Sequence, residues 1–342
     1  MELRLCSLNG MLQMAPTSAP YEWIGIDVGS KQLDVYDKVH QRHRCYGNDA
    51  AGIAQLCQDL SNRAHCAIVC EASGGYEQAV AHGLSEQGFR VSVVNGQRVR
   101  CFAKATGTLA KTDKIDAVKL AEFGALFAPK ATILASAAQQ QLQDCVHRRQ
   151  QLVDDLAREK NRRKQLKSPR RRWMAQEVEA HIEWLEKRIK QLDEQIEQLS
   201  TQQQQWREDK ALLTSVKGIG PVVSTGLLAY LPELGQCGNK QIAALVGLAP
   251  FNRDSGQYRG KRSTWGGRAM VRSLLFMATM VAIRHNPPVK AYYQHLLSQG
   301  KAKKVALVAC ARKLLVCLNA MLKQRTPWQD ERYSAHFVRA EA

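Results

Sequence analysis

Val178, Ile182, Leu185, Ile189, Leu192, Ile196 and Leu199 follow one another at alternating steps of four and three residues. A helix with that repeat carries its apolar side chains in one narrow seam, and the seam has to be buried against another helix. A weaker version runs through Leu142, Val146, Val153 and Leu156, and Ser168-Pro169 interrupts the helical text between the two, since proline ends or kinks a helix. The expectation for residues 131–208 is a helical hairpin or a dimerising coiled coil; the plainer alternative is one amphipathic helix on a globular core. A basic run from Arg158 to Arg172 surrounds the bend, either as a solvated face or as a nucleic-acid contact.

The text on either side is different. From Trp23 to Ser30 it reads as a strand ending in a turn, and Lys31 to Lys38 as a returning strand with alternating apolar positions. Ala50–Leu60 is helical, Cys66–Cys70 is a short buried strand ending at Glu71, Tyr76–Gln87 is a helix, Arg90–Val94 a strand, and Lys111–Leu126 a helix opened by Thr112-Asp113. Strands alternating with helices indicate an α/β sheet domain over residues 21–130. After the coiled-coil region, residues 209–326 read as compact and mostly helical, closed by an apolar helix from Val305 to Leu322. Residues 1–20 look like a loose extension, in which Met11 or Met14 could be a later start, and 327–342 like a tail.

The 342 residues fit about two domains at ~150 residues each. Forty-nine Lys and Arg against 31 Asp and Glu leave 49 − 31 = +18, a surplus that points to a polyanionic partner, nucleic acid by default. No run of ~18 apolar residues predicts a membrane span, and the first 20 residues lack the apolar stretch of a signal peptide. The ten cysteines include no CxxC and no zinc-like spacing, so they are expected to be reduced, buried, small hydrophobes of a cytoplasmic protein.

Asp27 ends the first strand, Glu71 ends a later one, and Asp113 and Asp116 share one face of a helical turn. Singly, each could serve a turn or a helix N-terminus. Together, four hard carboxylates at one end of a sheet could hold one or two Mg²⁺ ions, and two such ions ~4 Å apart can clamp the attacking and leaving oxygens of a phosphodiester.

Val216-Lys217-Gly218-Ile219-Gly220-Pro221 lies between two helical stretches. It reads as a helix-hairpin-helix turn, whose backbone amides can hold a DNA phosphate without reading sequence, or as a plain tight turn. Downstream, Arg253, Arg259, Lys261, Arg262, Arg268 and Arg272 surround Ser255-Gly256, with Asp254 as the sole acid. Such a segment could grip phosphates and expose one hydroxyl, with its cations stabilising charge on a phosphoryl centre. The bland reading of Ser255 is a loop serine.

These motifs occur in an order that resembles the DEDD transposases of insertion-sequence family 110, the group that includes the Piv/MooV-type DNA invertases. The residues that carry the resemblance are Gly25-Ile26-Asp27-Val28 with Leu33-Asp34-Val35, Glu71 to Tyr76, Lys111 to Ala117, the glycine turn at 216–221 and the segment 247–272. It covers roughly residues 21–325. Ser73 and Ser30 stand where the family commonly has threonine and often lysine. The resemblance implies an RNase H-like, RuvC-like domain, a coiled-coil insertion and a C-terminal transposase domain. It implies that Asp27, Glu71, Asp113 and Asp116 bind metal and that Ser255 attacks DNA to form a phosphoserine linkage. It further implies a site shared between protomers of a dimer or tetramer, and an element-encoded bridge RNA that pairs with donor and target DNA. Lys217, Gly218, Gly220, Arg253, Arg259, Lys261, Arg262, Arg268 and Arg272 are the expected nucleic-acid contacts.

Two other classes compete. Asp27-Val28-Gly29-Ser30 also resembles the first phosphate loop of actin-like kinases and ATPases, which leaves the charge and the Ser255 segment without a role. A non-catalytic nucleic-acid-binding coiled-coil protein explains the charge and the glycine turn but leaves the four acids unmotivated.

Overall fold

The computed structural model describes residues 21–338 apart from 64, 252, 253, 257 and 261. The side chains of 169, 258, 259, 335, 336 and 338 are outside that description. The expected extension 1–20, the last four residues, and Arg253 and Lys261 therefore lie outside it. The chain divides into two compact units at residues 134 and 135.

The first unit is built on strands β1 (Glu22–Val28), β2 (Gln32–Asp37) and β3 (Arg42–Gly47), helix α1 (Ala50–Leu60), strand β4 (Cys66–Glu71), helix α2 (Glu77–Glu86), strand β5 (Arg90–Val94), and helices α3 (Gly96–Ala105) and α4 (Asp113–Phe127). The sheet order is β3-β2-β1-β4-β5. The first three strands form an antiparallel meander, whereas β1, β4 and β5 run parallel.

Strand parity decides what each face carries, because successive side chains point to opposite sides. Ile24, Ile26 and Val28 of β1, with Ile68 and Cys70 of β4, pack under α1 and α2 together with Leu56, Val80 and Leu84. Trp23 of β1 and Ala67 and Val69 of β4 take the opposite face, with Val99 of α3 and Leu120 and Phe123 of α4. Both central strands are covered on both sides, which explains their nearly unbroken apolar text.

The second unit contains α5 (Ala137–Gln165), a 3-10 turn at Pro169–Arg171, α6 (Arg172–Gln202), α7 (Gln204–Thr214), α8 (Pro221–Tyr230), α9 (Asn239–Val246), a two-stranded hairpin of β6 (Asp254–Ser255) and β7 (Tyr258–Arg259), α10 (Ala269–His285), α11 (Pro287–Ser298), α12 (Lys303–Gln324) and α13 (Asp330–Val338). The heptad seam finds its partner within the chain. Leu152 and Leu156 of α5 meet Leu185, Ile189 and Leu192 of α6. Arg149 pairs with Asp193 at 2.5 Å, Lys160 with Glu186 at 2.7 Å and Arg163 with Glu179 at 2.7 Å, a ladder that fixes the two helices antiparallel. At the base of the hairpin, Leu142, Val146, Ile196 and Leu199 join the main core.

Helix α12 runs through that core. Ala306, Leu307, Cys310, Leu314, Leu315, Leu318 and Met321 are among its buried residues. By length and composition it is apolar enough to cross a membrane, but Arg312 and Lys313 interrupt its apolar run and two-thirds of its apolar window is buried within the protein, as in a core helix. The expected tail also needs correction. Residues 330–338 form α13, with Tyr333 and Phe337 buried in the main core and Trp328 stacked on Tyr333 at 4.4 Å between ring centres. Among the described residues nine cysteines are free, and Cys66, Cys70, Cys310 and Cys317 are buried, where burial pushes their thiols up to about 11 for Cys66 and about 12 for the others. Cys45 and Cys101 are exposed, unlike the buried positions expected.

Candidate functional site

Strand parity puts Asp27 on the same side of β1 as Trp23 and Gly25, the side that α4 covers, and Glu71 on the same side of β4 as Ala67 and Val69. The parallel register Ile26↔Cys70 leaves Asp27 and Glu71 side by side at the ends of neighbouring strands. Helix α4 lies directly against this edge. A Cβ on Gly25 would fall 2.0 Å from the Ala117 carbonyl oxygen and 2.5 Å from the Ala121 nitrogen, so only glycine lets the helix approach. The first turn of α4 holds Asp113 and Asp116, capped by the Thr112 hydroxyl, which accepts from the Ile115 amide at 3.3 Å. That end of the helix dipole favours negative charge.

The four acids thus arrive near one place by three elements, and Asp27 records it. Its pKa is pushed from the ordinary 3.8 to about 6, first by burial and then by the charges of Asp116, Asp113, Glu71 and Asp34. Burial also raises Glu71 and Asp116, while Lys111 opposes the shift on both and Arg100 on Asp116.

Asp34 is a fifth carboxylate that the sequence reading did not place at the site. It pairs with Asp27 in the antiparallel register, is buried, and accepts from Gln32 Nε2 at 3.1 Å and Cys45 Sγ at 3.2 Å. A signal was available: in a hairpin of Gly25-Ile26-Asp27 against Leu33-Asp34-Val35, parity puts both acids on one face.

An all-carboxylate set suits a hard divalent cation. Among the described residues no three His, Cys, Asp or Glu side chains are grouped closely enough to form a ready-made metal cage. The donor chemistry fits a metal; the closed ligand geometry is not formed.

In the second unit the glycine turn lies between α7 and α8. Val216 and Ile219 anchor it in the core, and Pro221 opens α8. Gly218 has φ +114° and backs onto α10, where a Cβ would come within 2.9 Å of Ala282 Cβ. Gly220 faces open space, and Lys217 is exposed with Asp330 at 3.8 Å.

Ser255, expected in a loop, is instead in β6, exposed and paired with Tyr258 of β7. A further bridge joins Phe251 to Ser263. Arg262 is exposed. Arg268 and Arg272, expected at phosphates, are engaged inside the protein. Arg268 makes a two-pronged pair with Glu233, both contacts at 2.6 Å, and also reaches the Tyr230 carbonyl at 2.8 Å. Arg272 donates to the Val246 carbonyl at 3.1 Å and to the Gly266 carbonyl. They brace the base of the segment that carries Ser255.

A DEDD-type IS110 profile, described as a transposase, matches residues 24–167, and a profile described as the transposase IS116/IS110/IS902 family matches residues 210–294. The pilin gene-inverting protein of Moraxella lacunata is 28% identical over 316 residues, which are 90% of this chain and 97% of that protein. The pilin gene-inverting protein of Moraxella bovis is similar to the same extent, 28% over 316 residues. The uncharacterized 42 kDa protein of insertion element IS900 from Mycobacterium paratuberculosis is 31% identical over 116 residues, 33% of this chain and 29% of that protein. The DEDD-type family suggests divalent-metal use. With a matched segment in each unit and similarity running almost end to end, the chain belongs to the IS110 family of transposases.

Proposed function

We propose that this transposase cleaves and exchanges DNA strands in a divalent-metal-dependent reaction with Ser255 as nucleophile. The observation that carries the reading is that Asp27 is lifted to about 6, first by burial and then by the charges of Asp116, Asp113, Glu71 and Asp34 around it. Like charges gathered this way are unfavourable unless a cation neutralises them. The strand order with its antiparallel β2 supports an RNase H-like, RuvC-like assignment for residues 21–130.

In this reading Asp27, Glu71, Asp113 and Asp116 hold Mg²⁺, with two ions at a complete site. The metal supplies charge neutralisation at the phosphoryl oxygens. Ser255 Oγ attacks the scissile phosphorus and gives up its proton; the P–O bond to the leaving DNA oxygen breaks, and that oxygen is protonated. A phosphoserine ester remains. Attack by a hydroxyl of the new partner strand reverses the step and frees the serine, so no ATP is consumed. The amides around Gly218 and Gly220, with Lys217, Arg259 and Arg262, meet phosphates; Arg253 and Lys261 belong to the same segment. Arg268 and Arg272 position it.

The same reading takes residues 131–208 as a coiled-coil insertion and 209–326 as the transposase domain. It also takes the acids of one protomer and Ser255 of another as one composite site in a dimer or tetramer, a bridge RNA as guide, and the cytoplasm as location. The direct test is Asp113→Asn. It should abolish Mg²⁺-dependent strand cleavage while DNA binding and the melting curve persist. Cleavage at the wild-type rate, or undiminished wild-type activity in EDTA, would overturn the metal role.

A further inference from the structure

The basic run at the bend of the α5–α6 hairpin has no part in the chemistry above. From Lys160 to Gln176 the chain holds eight lysines and arginines and no aspartate or glutamate. Three of these cations are tied into the hairpin: Lys160 to Glu186 at 2.7 Å, Arg162 to Glu159 at 2.5 Å and Arg163 to Glu179 at 2.7 Å. Lys164, Lys167, Arg170, Arg171 and Arg172 are exposed, and among the described residues none of them is in an ion pair. Lys164 suits the C-terminal end of the α5 dipole, but no acid offsets the mutual repulsion of these five cations within nine residues, which opposes the bend.

Aromatic surface accompanies the charge. Trp173 follows the three arginines directly and is 65% exposed. Trp184, eleven residues on, is 49% exposed, with the His181 ring 5.9 Å away. Eleven residues are about three helical turns, so both tryptophans lie on one side of α6, away from the Ile182–Leu185–Leu192 seam. A solvated charged face accounts for the lysines and arginines but gives no reason for large apolar rings beside them.

We infer that the hairpin bend is a binding site for single-stranded nucleic acid, in which Arg170, Arg171 and Arg172 meet phosphates and Trp173 stacks on an unpaired base. Cations beside exposed aromatic rings are what a single strand recognises: the backbone supplies charge, and unstacked bases supply faces. A duplex offers the charge alone, because its bases are already stacked. The site depends on neither the acids nor Ser255, so binding is measured in EDTA, apart from cleavage.

The full chain is titrated with oligothymidine, oligouridine and a DNA duplex of equal length over a range of salt. Arg170→Gln, Arg171→Gln and Arg172→Gln combined should flatten the single-strand slope of log K against log salt by about 2, at ~0.7 per phosphate. Trp173→Ala should weaken single strands by at least about fivefold without altering that slope or the duplex affinity. Trp173→Phe should restore most of the loss. The thymidine and uridine arms rank DNA against RNA. All four side chains are exposed, so unchanged circular-dichroism melts are expected for every variant. Wild-type single-strand binding by both the triple and Trp173→Ala variants would overturn the site, as would an equal effect of Trp173→Ala on duplex and single strand. So would loss of binding to anionic vesicles in the triple variant with oligonucleotide binding intact, which would mean a membrane surface instead.

Discussion

A carboxylate held among other carboxylates and partly removed from water destabilises the fold when it is charged, and Asp27 is in that position. The sign follows from linkage. Its folded pKa of about 6 lies above the unfolded 3.8, so the folded chain binds more protons between those values. Stability from this group is full below 3.8, is lost as pH rises toward 6, and stays lost above it. Asp27→Asn should therefore melt higher than wild type at pH 7 in EDTA, with the advantage disappearing near pH 4. Added Mg²⁺ should raise the Tm of wild type and leave the Asn variant nearly unmoved. An Asn variant no more stable at pH 7, with no Mg²⁺ effect on wild type, would remove the electrostatic basis of the site. The acids themselves were legible because strand ends and a capped first turn are local features. Their number was missed, although hairpin parity could have put Asp34 beside Asp27, because which residues face each other is set only by the β1–β2 register. The fate of Arg268 and Arg272 was not legible either: charge is visible in a sequence, whereas Glu233 and the Gly266 carbonyl reach them only through tertiary folding.

At the scale of elements, the site exists because α4 can lie directly on β1. Gly25→Ala would put a Cβ 2.0 Å from the Ala117 carbonyl oxygen, in a contact made of backbone that cannot swing away. Helix α4 would have to retreat, taking Asp113 and Asp116 from Asp27. The variant should lose strand cleavage and destabilise the fold by about 1–3 kcal/mol, the usual range for overpacking. A denaturant melt and cleavage rate matching wild type would contradict this placement. Most elements of the first unit, and the hairpin arms and the apolar helix α12 of the second, could be read from local periodicity and capping, but those that depend on distant partners could not. Strand β3 begins Arg42-His43-Arg44 and is an edge strand, held by pairing with β2 rather than by an apolar pattern. Helix α3 buries only Val99 and Ala103, and α13 earns its order from Tyr333 and Phe337 in a core assembled elsewhere. The Ser255 strand is two residues long and visible only through its partner. The heptad showed that a seam exists but not whose helix fills it; the ion-pair ladder from Arg149 to Arg163 shows the partner within the chain.

For the whole molecule, membership of a transposase family removes the kinase-like and non-catalytic readings and gives the +18 surplus a purpose, since DNA is the polyanion a transposase works on. The proposed chemistry draws its acids from residues of the first unit and its serine from the second. A water-driven metal nuclease would need no serine, and a serine acting alone would need no acids. Trapping the reaction on a nicked suicide substrate, followed by denaturing electrophoresis and peptide mapping, separates these cases. Wild type should yield a covalent protein–DNA adduct at Ser255 in Mg²⁺, while Ser255→Ala and Asp27→Asn should bind DNA but form none. An adduct at another residue, or strand exchange by Ser255→Ala, would contradict the account.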